Sequence, residues 1–167
     1  MHDELTQVDI DKMKEELDHR IKVLRPQLIE EVKVARSFGD LSENFEYKAA
    51  KREKNRNDSR IRYLENMIKT AVVIDGASSS DGVGLFDKVT FYVEEDDEEQ
   101  TIQLVTTLRQ DALKGLISKE SPVARALMGH RVGDRVEIVV SPEMKYTAEI
   151  RAVEPGEDDA SLEISSY

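Results

Sequence analysis

The chain has 167 residues, 39% hydrophobic and 35% charged, with no Cys and no Trp. That composition excludes disulfides and thiolate metal sites, and it suits one or two small domains better than one large core. The net charge of −11 argues against general nucleic-acid binding, but it is unevenly spread: residues 1–70 carry fifteen basic and fifteen acidic side chains, residues 71–167 nine and twenty.

The first half reads as helix. Ile10, Met13, Leu17, Ile21, Leu24, Leu28, Val32 and Ala35 recur at steps of three and four, a stripe close to a coiled-coil seam. About 30 such residues at ~1.5 Å each make a rod of ~45 Å. Pro26 removes one backbone donor and is expected to bend it. A second stripe runs through Ala50, Lys54, Asn57, Ile61, Leu64 and Ile68. Folded back around residue 41, the stripes pair Val32 with Ala50, Leu28 with Lys54, Leu24 with Asn57, Ile21 with Ile61, Leu17 with Leu64 and Met13 with Ile68. This register predicts an antiparallel helical hairpin over residues 1–75, with polar Lys54 and Asn57 making its middle the weakest part.

Residues 76–82 read as a Ser/Gly-rich linker. In 83–167 the period changes to two. Strands are expected over 88–93 and 101–108, flanking an acidic turn, and over 136–140 and 146–153. Ser121-Pro122 starts a short helix, Ser as cap and Pro at the first helical position. The fold class is therefore α+β: a coiled-coil hairpin, then a small antiparallel sheet with one helix. No charged-then-apolar leader begins the chain and no apolar run approaches ~18 residues, so no membrane is expected and a cytoplasmic location is.

The chemistry concentrates in GDLSENFEY, residues 39–47, at the hinge. This segment resembles the tip motif of the Gre transcript-cleavage factors, GDLxENxEY. ISKESPVARALMG (117–129) and VGDRVEI (132–138) resemble the same family's second domain, so the likeness covers nearly the whole chain in order. It implies an FKBP-like second domain that docks on RNA polymerase, with Ser121 and Pro122 near the docking surface. It also implies a hairpin entering the polymerase's nucleotide channel, where Asp40 and Glu43 help hold a second Mg²⁺ for cutting backtracked RNA near its 3′ end. The factor would stimulate the polymerase's cleavage rather than be an enzyme, and would take no small-molecule substrate. Two-metal phosphodiester hydrolysis needs such carboxylates, and Mg²⁺ keeps most of its water when held by only one or two. No tightly bound metal is expected in the isolated protein.

The same residues admit a structural reading. Asp40 and Glu43 fit the capping-box spacing, and Gly39 fits a helix C-cap. A carboxylate can serve both roles. Between 48 and 62 lie seven basic and two acidic residues. Lys48, Lys51, Arg52 and Arg56 form either an RNA-contacting patch or a solvated face paired with nearby acids. Phe45 and Tyr47 are expected to pack the tip rather than stack on a base. At Arg56-Asn57 the chain departs from the family's usual aromatic–aliphatic pair, and the turn at 142–144 lacks a common glycine. Competing functions are a channel-binding regulator or inhibitor without cleavage, a prolyl isomerase, disfavoured by the few aromatics in 83–167, and a coiled-coil adaptor with no role for the acidic tip.

Overall fold

The computed structural model describes residues 2–39, 43–75 and 82–165. The chain forms two compact units: Ile10–Ala71, and Asp3–Asp9 with Val72–Ser166. The hairpin expected over 1–75 therefore gives both its ends to the other unit. The local reason is a two-residue parallel pairing of β1 (Glu4–Leu5) with β2 (Val72–Val73), with Leu5 and Thr6 buried. Of the expected linker, residues 76–81 lie outside the described residues.

The hairpin unit holds most of α1 (Gln7–His19), a π-helical turn (Arg20–Leu24), α2 (Arg25–Arg36) and α3 (Phe45–Thr70). Pro26 accounts for the π turn. Its ring would collide with the Lys22 carbonyl in a regular helix and offers it no N–H. Widening the turn resolves the conflict, and the Arg25 N–H reaches back five residues to the Arg20 carbonyl. The seam is buried at Ile10, Met13, Ala35, Ile61 and Leu64, and Met67 is buried where the spacing predicts Ile68.

The middle of the rod is polar and bonded. Asn57 Oδ1 accepts from Arg20 Nη1 at 2.8 Å, and its Nδ2 donates to the Arg20 carbonyl at 3.4 Å. The expected partner, Leu24, lies one turn away and offers no side-chain acceptor or donor. Glu16 accepts from Arg20 Nε at 2.8 Å and from Arg60 Nε at 2.7 Å and Nη2 at 3.1 Å. Burial pushes the Glu16 carboxyl up, but hydrogen bonds from Arg60 and then Arg20 outweigh it and hold it below the ordinary glutamate range.

The other unit carries a five-stranded sheet. In chain order its strands are β3 (Lys88–Val93), β4 (Glu98–Val105), β5 (Leu116–Ser118), β6 (Arg135–Ser141) and β7 (Met144–Glu154); their spatial order is β5-β4-β3-β7-β6. The α+β expectation holds, but the sheet is mixed: β5 runs parallel to β4, and three residues are too few to show a period in sequence. Expected residue 108 falls instead in a 3₁₀ turn, Thr107–Arg109. Alternate residues Val89, Phe91 and Val93 face Ile102, Leu104, Ile138, Ala148 and Ile150 in one core, as the two-residue pleat requires. Helix α4 (Pro122–Leu127) closes that face with Ala124 and Leu127.

A buried guanidinium holds the edge of this unit. Arg109 is 1% exposed. Its Nε donates to Asp9 Oδ1 at 2.5 Å, its Nη2 to Thr6 Oγ1 at 3.0 Å and to Asp158, and its Nη1 to the Asp159 carbonyl at 3.1 Å. Its cation lies 5.0 Å from the Phe86 ring centroid. Asp9 is also half of a capping box: the Thr6 N–H donates to Asp9 Oδ2 at 3.1 Å and the Asp9 N–H to Thr6 Oγ1 at 3.4 Å. Phe86 has φ of +70°, and Gly156 packs so closely on it that a Cβ there would stand 1.9 Å from the Phe86 carbonyl oxygen. We expect Arg109→Met to lower the unfolding free energy of this unit by about 3–5 kcal/mol, because it strands the fully buried Asp9 carboxylate. Urea titration followed by circular dichroism measures it, and a loss under ~1 kcal/mol would show that the network is dispensable.

Candidate functional site

Helix α2 ends before the turn. The Ser37 N–H bonds to the Lys33 and Val34 carbonyls at 3.2 and 3.1 Å, and Gly39 takes φ of +128° to leave the helical path. A Cβ at Gly39 would meet nothing within 4 Å, so backbone conformation, not space, is what favours glycine there. Helix α3 begins with Asn44 as its cap, Oδ1 accepting from the Tyr47 N–H at 3.0 Å. Asn44 Nδ2 donates back to the Ala35 carbonyl at 2.6 Å. One side chain thus starts the second helix and ties it to the end of the first.

This geometry alters the capping reading. The cap expected of Asp40 with Glu43 three residues on belongs to Asn44, so Glu43 precedes the helix. Asn44 stands directly before the helical run, with Glu46 in its first turn, and that cap signal is legible in the sequence one turn beyond Asp40. Asp40 lies outside the described residues. Glu43 is exposed, and no described side chain or backbone N–H engages its carboxylate. It is a hard oxygen donor of the kind Mg²⁺ takes. Among the described residues, no group of three or more His, Cys, Asp or Glu is placed to hold a metal.

The basic residues after the turn separate into two kinds. Lys48, Lys51 and Arg52 are exposed and pair with no carboxylate among the described residues. Arg56 lies 3.6 Å from Glu53, with both largely exposed. Lys54 pairs with Asp58 at 3.0 Å, and Arg60 is buried against Glu16. The outer three thus remain uncompensated among the described residues, while Lys54 and Arg60 serve the fold.

The aromatics differ from expectation. Phe45 is 81% exposed and Phe38, on the other side of the turn, 65%, so neither packs the tip. Tyr47 is half-buried, its ring 5.5 Å from the Arg36 cation and 6.0 Å from that of Lys51. A long hydrogen bond from Arg36 Nη2, 3.5 Å, holds its phenol below the ordinary range. In the other unit Ser121 caps α4, Oγ accepting from the Ala124 N–H at 3.1 Å, with Pro122 following. Pro122, Glu120, Arg125, Ala126, Glu137 and Val139 line a groove there.

Comparison with known proteins matches two family models to the chain: the N-terminal domain of transcription elongation factors over residues 4–73, and the C-terminal domain of GreA/GreB transcription elongation factors over residues 78–155. Transcription elongation factor GreA of Mesoplasma florum is 41% identical over 152 residues, 89% of this chain and 96% of that protein. GreA of Lactococcus lactis is 45% identical over 135 residues, 80% and 86% respectively. Among solved structures, GreA factor homolog 1 of Thermus thermophilus aligns over 93% of this chain and 100% of its own at 25% identity, with a TM-score of 0.43.

The double role of Asn44 is separable. Asn44→Ala should destabilise the hairpin by about 1–2 kcal/mol, losing the cap and the bond to Ala35. Asn44→Asp keeps the cap acceptor and loses the donor, so it should fall between. Thermal unfolding by circular dichroism ranks the three, and an alanine variant as stable as the parent would refute the assignment.

Proposed function

The chain belongs to the GreA/GreB family of transcription elongation factors, and from that we propose that it binds RNA polymerase, places its hairpin turn in the nucleotide-entry channel, and stimulates the polymerase's cleavage of backtracked RNA. One observation carries the reading to this chain's own residues. With Asn44 serving as the cap, Glu43 is left as an exposed carboxylate at the turn that no described residue engages.

Asp40 and Glu43 would supply carboxylate oxygens to a Mg²⁺ ion that the polymerase holds in part. When bound, that ion supplies Lewis-acid stabilisation of charge on the scissile phosphate. The rest falls to the protein's own groups. Helix α3, 26 residues long, gives a reach of about 39 Å on a narrow rod. Lys48, Lys51 and Arg52 present positive charge to the phosphates of the extruded 3′ segment, an interaction whose strength falls with salt. Ser121 and Pro122, at the start of α4, would lie at the docking surface, beside the groove that Pro122 helps to line.

Asp40→Asn and Glu43→Gln should each reduce stimulated cleavage at least about ten-fold, the loss that even indirect metal partners cause, while polymerase binding and thermal stability stay near those of the parent. Each change keeps size and removes the charge a Mg²⁺ ligand needs. Cleavage assays on backtracked elongation complexes, run beside a binding assay, decide it. If Asp40→Asn keeps full stimulation, the metal role of Asp40 fails. If both variants lose cleavage only as far as they lose binding, the protein is a channel-binding regulator instead.

Charge reversal at Lys51 and Arg52 should weaken action on long extruded RNA more than on short, with the salt dependence shallower by ~0.7 for each phosphate no longer neutralised. Reversal at Arg56, which has Glu53 beside it, should do less. Equal losses on both RNA lengths would mark these cations as a solvated face.

A further inference from the structure

The turn carries two phenyl rings that the fold does not use. Phe38 and Phe45 are 65% and 81% exposed. A single exposed apolar side chain needs no explanation, but these two flank one turn and their backbones share an anchor. The Ala35 carbonyl accepts from the Phe38 N–H at 3.2 Å and from Asn44 Nδ2 at 2.6 Å. One oxygen thus fixes the backbone of Phe38 and the residue directly before Phe45. The Lys48 ammonium lies 5.8 Å from the Phe45 ring centroid, and Lys48, Lys51 and Arg52 have no carboxylate partner among the described residues.

Apolar ring surface beside uncompensated positive charge is the chemistry that single-stranded nucleic acid fits. The base supplies a flat π-face for the ring, and its phosphate meets the ammonium. An apolar protein surface would fill the ring's need and leave the cations without partners. We infer that Phe45, with Phe38 across the turn, stacks on an unpaired base at the 3′ end of the RNA, and that Phe45 is a specificity-determining residue of this factor. The inference rests on the hairpin entering the channel as proposed above. Stacking is stronger for purines than for pyrimidines, so the ring makes the response depend on the identity of the 3′ base. The exposure of the Phe45 ring removes the tip-packing role that its position in the sequence suggests, and leaves stacking.

The test uses the full-length protein with backtracked elongation complexes whose RNA ends in adenosine or uridine. Maximal cleavage rate and the half-saturating factor concentration are measured for the parent, Phe45→Ala, Phe45→Leu and Phe45→Tyr. We expect Phe45→Ala to lose about five-fold or more on adenosine ends, matching the ~1 kcal/mol low end of base–aromatic stacking, and to lose less on uridine ends. Phe45→Tyr restores the difference between bases; Phe45→Leu does not. An exposed ring makes no core contact, so melting temperatures should be unchanged. A leucine variant with parental activity would show that the ring meets an apolar protein surface, and equal loss on both bases would exclude base stacking; either overturns the inference. A second measurement is independent of cleavage. RNA ending in 5-iodouridine is irradiated in the complex and the crosslinked peptide identified. A crosslink at Phe38 or Phe45 supports stacking even if cleavage is not stimulated, in which case only the proposed function fails. Stimulated cleavage without that crosslink sinks the stacking alone.

Discussion

A guanidinium with no access to water must find its partners inside the protein, and Arg109 finds them in segments far apart in sequence. Asp9 and Thr6 come from the N-terminal stretch, Asp158 and the Asp159 carbonyl from the C-terminal one, and Phe86 from the turn before β3. A buried ion pair is weak evidence for net stability, because desolvation offsets much of the attraction. Its requirement for partners is strict, however. With Arg109 in place, residues 3–9 and 158–159 each have one place to go, and β1 is set beside β2. Gly156 follows from the same packing, since only a residue without Cβ passes the Phe86 carbonyl.

The hairpin uses the same logic in a milder form. Its seam is apolar toward both ends and polar in the middle, where Glu16, Arg20, Asn57 and Arg60 satisfy one another. A leucine seam slides by a turn at little cost. A seam in which Asn57 must meet Arg20 does not, and single polar residues at such positions are known to set register. The π turn beside Pro26 belongs to this arrangement, since the Arg20 carbonyl that accepts from Asn57 is the one that its widened bond engages.

Register matters to the function proposed for the turn. A shift of one helical turn, ~5.4 Å, would carry the tip residues away from any centre they are meant to serve. Asn44 makes the last connection: it caps α3 and holds the Ala35 carbonyl, while the carboxylate of Glu43 and the rings of Phe38 and Phe45 stay exposed. The proposed role draws on that exposed carboxylate, on the rings and on the cations beside them. Residues 71–167, with twenty acidic side chains against nine basic, carry the opposite charge balance and would repel RNA phosphates.

Periodicity alone determined that residues 10–68 form a hairpin and that an α+β unit follows, because the 3.6 and 2.0 repeats follow from backbone geometry and survive any tertiary context. The motif at 39–47 was legible for the same reason: it is local. Tertiary structure decided the rest. It moved the cap from Asp40 to Asn44, because a cap depends on where the helix begins to within one residue. It assigned Arg60 and Lys54 to the fold and left Lys48, Lys51 and Arg52 exposed, because a charge's role depends on which carboxylate the fold brings near. It turned Phe45 outward, placed β5 parallel to β4, and buried Arg109, a residue that the sequence offers no cause to single out. Those outcomes rest on neighbours distant in the chain, or on the few ångströms that separate a buried side chain from a solvated one, and neither quantity has a period to read.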